Sequence, residues 1–156
     1  RLLRKHKGDP KLRNRDSMIN RLDGAQNFKQ EDLDELFEYK DVNYPHLNPN
    51  IEKYTSMAFN QHNLDEKIRS LKKLNGVGMV MASVILSMQN PYKYAELDHN
   101  VWELLQKEYE MEGTDKDNRS DYGIPEYERY LKTLGDIAEE YGMRIADVQY
   151  VLANYI

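Results

Sequence analysis

At 156 residues the chain has room for one compact unit, and 40% hydrophobic with 31% charged residues supports a packed core. A mean hydropathy of -0.87 and the lack of any apolar run long enough for a bilayer exclude a membrane span, and the lack of cysteine excludes disulfides, zinc ribbons, cysteine-ligated clusters and thiol nucleophiles. The net charge of -5 argues at first sight against nucleic acid, but the sum hides an uneven distribution.

Residues 1–22 carry eight Lys/Arg against two Asp and read as a basic N-terminal arm, a solvated tail on the usual behaviour of charge runs. No basic, apolar and small-residue succession marks a secretion signal, so the cytoplasm is the expected location. The remainder, 23–156, reads as a single all-α domain, because apolar positions recur at three and four and no stretch alternates between hairpin turns. A short helix follows Phe28, with Leu33, Leu36 and Phe37 on one face and acids in its first turn, and stops before Asn43-Tyr44-Pro45. The Pro45–Pro49 loop leads to a helix from about Asn50 that turns Ile51, Tyr54, Met57 and Ala58 inward.

Leu64 to Leu74 is the next predicted helix, with Ile68, Leu71 and Leu74 inward and Lys67, Arg69, Lys72 and Lys73 outward. After Asn75-Gly76-Val77-Gly78, the densely apolar run Met79–Met88 reads as the buried centre and ends at Gln89-Asn90-Pro91. Asp98 opens a helix with Val101, Trp102, Leu104 and Leu105, and Glu110 to Gly123 reads as an acidic loop. Helices Pro125–Tyr141 and Ile145–Tyr155, joined at Gly142, close the chain.

The segment 67–88 is a helix, a two-glycine turn and a second helix. Glycines allow positive φ and close backbone approach, while the second helix starts with unpaired N–H groups and the positive end of its dipole. Together Asn75, Gly76, Val77 and Gly78 make a phosphate seat, and Lys72 and Lys73 beside it add affinity by releasing counterions. A plain helical hairpin with a glycine turn is the simpler alternative.

Leu74-Asn75-Gly76-Val77-Gly78, a small-residue apolar helix and then Leu97-Asp98-His99-Asn100-Val101 resembles the core of the helix-hairpin-helix DNA base-excision glycosylase superfamily, nearest the mismatch adenine glycosylases. The match covers about residues 67–107, a quarter of the chain. The resemblance implies an N-glycosylase that flips a base, grips the neighbouring phosphate with Gly76 to Gly78, and uses Asp98 to stabilise the sugar cation or activate water. Bifunctional members carry a lysine nucleophile two residues after the second glycine. Val80 stands there, so only monofunctional hydrolysis is implied. The four-cysteine cluster of some members is absent, and the 66 residues before the hairpin are fewer than such enzymes spend on half of their base pocket.

Asp98 at a helix start is also a favoured N-cap, and the two roles can coexist. Tyr92 and Tyr94, in the loop before it, are candidates for base stacking, and His99 and Asn100 for backbone or water contact, although loop polarity explains the latter pair as well. His6, His46, His62 and His99 show no metal-ligand spacing, so neither metal nor cofactor is expected. The stretch Ile137–Val148 echoes a helix-turn-helix, but the helix after it offers base edges little beyond Gln149 and Asn154. The expected partner is DNA held by its backbone, without sequence preference. The alternative is a non-catalytic helical module for DNA or a protein.

Overall fold

The computed structural model describes residues 8–42, 47–112 and 122–156. These form eight helices and no strand, the all-α architecture expected. The first, α1 (Pro10–Leu22), corrects the reading of the basic arm. Asp9 caps it by accepting the Lys11 N–H at 3.0 Å, Pro10 occupies its first turn, and Leu12, Arg15, Met18, Ile19 and Leu22 are buried. From Pro10 onward the segment is part of the core. Apart from Arg15, the basic residues lie on the outer side of an amphipathic helix, whose inner side packs on the central one.

In α2 (Gln30–Tyr39), Asp32 reaches back to the Lys29 N–H at 2.9 Å, and Leu33, Leu36 and Phe37 are buried. Helices α3 (Ile51–Asn60) and α4 (Leu64–Leu71) pack closely as a pair. Asn63 caps α4 through the N–H groups of Asp65 and Glu66. The helix predicted to reach Leu74 stops at Leu71, where the bonds tighten: Lys73 N–H to Ser70 O, then Leu74 N–H to Leu71 O and Val77 N–H to Leu74 O. These bonds, one residue shorter than those of an α-helix, draw the chain into the hairpin.

The central helix α5 (Met79–Gln89) is buried from Met81 to Met88. Its C-terminal end is tied to two other segments. Gly24 N–H donates to Gln89 O at 2.8 Å and the Gln89 side chain returns a bond to Ala25 O, while Ala146 N–H reaches Pro91 O at 2.9 Å. After α6 (His99–Glu108) come α7 (Ile124–Tyr141) and α8 (Ile145–Asn154), joined by Gly142 in the left-handed region at φ 62°. Trp102, Tyr127 and Tyr130 are fully buried where α6 meets α7, and each such side chain contributes roughly 1.5–3 kcal/mol of burial free energy.

Candidate nucleic-acid interface

Between α4 and α5 the turn alternates outward and inward. Asn75, Gly76 and Gly78 are exposed, whereas Val77 is buried and pins the turn to the core. Gly76 has φ 78°, a conformation that a β-carbon disfavours. Gly78 is the N-cap of α5 and has no side chain to satisfy the first turn. The first bond inside the helix is Ala82 N–H to Gly78 O, so the N–H groups ahead of it have no intrahelical acceptor. A β-carbon built on Gly78 meets nothing within 4 Å. The head of α5 is therefore open at Gly78, with the positive end of the helix dipole behind it.

A residue that sequence reasoning passed over holds this turn in place. Asn48 is buried, and its carboxamide brackets the backbone of Asn75: Oδ1 accepts the Asn75 N–H at 2.8 Å and Nδ2 donates to the Asn75 carbonyl at 3.2 Å. Asn75 answers through its own side chain, donating to Leu47 O at 3.3 Å. The signal lay in Asn48-Pro49, a turn dipeptide twenty-seven positions upstream of the residue it holds. Lys72 and Lys73 are exposed and make no ion pair among the described residues. The Lys73 ammonium lies 5.5 Å from the centre of the Tyr54 ring.

Asp98 is the N-cap of α6. Its Oδ1 accepts the Val101 N–H at 3.0 Å, the capping geometry that the sequence also allowed. The segment leading to it is held from two sides. Leu97 N–H donates to Ser83 Oγ at 2.8 Å, and Ser83 lies four residues into α5, about 6 Å along the axis from Met79. From α7, Tyr127 donates to Ala95 O at 2.7 Å, and Tyr130 donates to Glu96 O at 2.7 Å while accepting from the Asp98 N–H at 3.3 Å. Burial pushes both phenols well above their usual range, so they remain neutral donors.

The other predicted contacts divide. Tyr92 is exposed, with the Arg144 guanidinium 5.7 Å from its ring centre. Tyr94, expected to offer a stacking face, is instead buried, because its ring closes the core beside Ala95. His99 has both ring nitrogens engaged, Nδ1 with the Tyr122 hydroxyl at 2.5 Å and Nε2 with Glu103 at 2.9 Å, and Asn100 is exposed. Gln149 is buried, as is Asp147, so of the two side chains in α8 that offered anything to base edges only Asn154 is exposed. His6 and His46 lie outside the described residues, as does most of the loop between Glu110 and Gly123. Among the described residues no three His, Asp or Glu side chains converge as metal ligands, and no helix is long and apolar enough to cross a membrane. No family model, curated protein or solved structure matches the chain.

Proposed function

We propose that this protein binds the DNA backbone through the turn Asn75–Gly78. The observation that carries the reading is the uncapped start of α5, open at Gly78 beside two exposed lysines with no ion pair among the described residues and braced from behind by Asn48 and Val77. A phosphate oxygen accepts from the first N–H groups of α5, which substitutes for the missing cap, and Lys72 and Lys73 neutralise the phosphates on either side. Glycines carry no side chain toward a base, so this mode of binding does not discriminate sequence. Replacing both lysines by Gln is expected to weaken duplex binding about tenfold, equally on unrelated sequences, as read by fluorescence anisotropy. Unchanged affinity overturns the reading.

A catalytic extension of the same site has its own support. Asp98 is anchored through Leu97 and Ser83 to the half of α5 that carries the turn, and capping occupies only one of its two oxygens. In that extension the second oxygen stabilises the sugar cation formed as a flipped base departs by hydrolysis. Asp98→Asn is a clean test, because asparagine caps as well as aspartate and the fold should be kept. Base release from a panel of damaged or mismatched duplexes is expected to fall at least about a hundredfold. Equal release by both proteins, or none by either, ends the extension and leaves the binding module.

A further inference from the structure

At the far end of α5 from the turn, about 16 Å along the helix axis, a hollow of about 310 Å³ opens between the α3–α4 connection and the loop after α5. Phe59, Tyr94 and the stem of Lys67 form its walls; Gln61, His62, Asn90 and Lys93 lie around it. None of its lining residues is acidic, in a chain with 27 Asp and Glu. Lys67 is buried, and its ammonium donates to Ala58 O at 3.1 Å and Phe59 O at 3.4 Å, with no carboxylate partner among the described residues. An ammonium has three protons to donate, so two carbonyls leave one uncommitted. Lys93 is exposed and likewise unpaired, and the side-chain amides of Gln61 and Asn90 make no hydrogen bond among the described residues.

Burial lowers the Lys67 ammonium from its ordinary value, and repulsion from the exposed Lys93 lowers it further, so a buried and an exposed cation face one hollow with no carboxylate between them among the described residues. Removing a cation from water is costly unless it is paired. Lys67 in part stabilises the carbonyl end of α3, where a positive charge belongs. That role does not explain a second lysine, a histidine and two uncommitted amides around the same space. Size and donor set suit a small oxyanion, which accepts hydrogen bonds only and gains most from charged donors.

We infer that this hollow binds a phosphate-class oxyanion, with Lys67 and Lys93 as charged donors and the Gln61 and Asn90 amides completing the set. The site is independent of the turn proposed to hold DNA, and its ligand is either free phosphate or a phosphomonoester. The test is titration of the whole chain with inorganic phosphate at constant ionic strength, following the side-chain amide NMR signals of Gln61 and Asn90. Saturable shifts are expected, weakened about tenfold in Lys93→Gln and in Lys67→Gln and unchanged when Lys72 and Lys73 are both replaced by Gln. Lys93 is exposed, so its variant keeps the test valid even if Lys67→Gln fails to fold. A nucleoside 5′-monophosphate that shifts the same signals at lower concentration identifies a monoester as the ligand, and weaker binding than phosphate identifies the free anion. Shifts that never saturate, that chloride reproduces, or that Lys93→Gln leaves untouched overturn the inference.

Discussion

Asn48 shows how much one side chain can decide. Its two hydrogen bonds to the Asn75 backbone substitute for the strand or helix partner that a turn lacks, and they come from a residue that is itself buried. Asn48→Leu keeps the approximate size, removes both bonds, and is expected to cost about 1–3 kcal/mol in a urea titration. Its effect on duplex affinity should exceed that of a stability-matched core variant such as Ile68→Val, because the loosened turn no longer presents its amides in one geometry. At this scale the sequence was partly legible. Gly76 and Gly78 announced a turn, and Asp98 announced a cap, since both signals are local. Asn48 could not be found that way, because its role depends on a contact with a residue twenty-seven positions later. Tyr94 misled for the opposite reason: a loop tyrosine beside a candidate site is as readily a core ring, and here it is buried.

Among the elements, α1 departs most from expectation and has the clearest consequence. The Asp9-Pro10 start and the inward spacing of Leu12, Arg15, Met18, Ile19 and Leu22 were present in the sequence, but the dense Lys/Arg run masked them. Arg15 enters the core because Asp147 of α8 awaits it, with Nη1 2.7 Å from Asp147 Oδ1 and its guanidinium 4.9 Å from the centre of the Tyr150 ring. Arg144 completes the arrangement, donating to Oδ2 at 2.8 Å and Oδ1 at 3.1 Å. Burial alone would raise the Asp147 carboxyl, but the Arg144 bonds and the Arg15 charge outweigh it and hold the group below its ordinary value of 3.8. A depressed pKa in the folded state means that the contribution is complete above the ordinary value and is lost as pH falls through the folded one. Thermal stability is therefore expected to decline on acidification from about pH 5 toward pH 2, and Asp147→Asn should flatten part of that decline. At neutral pH the same variant leaves Arg15 buried with a weakened partner and should cost about 3 kcal/mol.

Seen as a whole molecule, an acidic chain is compatible with the anionic partner proposed for it. Lys72 and Lys73 lie exposed immediately before the turn, so a net charge of -5 coexists with a locally positive end. The all-α class and most helix boundaries were readable because apolar spacing and capping residues act within a few positions. Which cavities the helices enclose was not readable, and the hollow around Lys67 and Lys93 draws on three separate segments.

The most direct test of the account is the single replacement Gly78→Asp. The new side chain enters open space at the head of α5 and can cap the amides now left bare. Those amides are the ones assigned to the DNA phosphate, so stability and binding should move in opposite directions: a gain of a few tenths of a kcal/mol in urea unfolding, with a loss of at least about tenfold in duplex affinity measured on the same preparation. A variant that gains the stability and binds duplex as tightly as the parent would contradict the central claim.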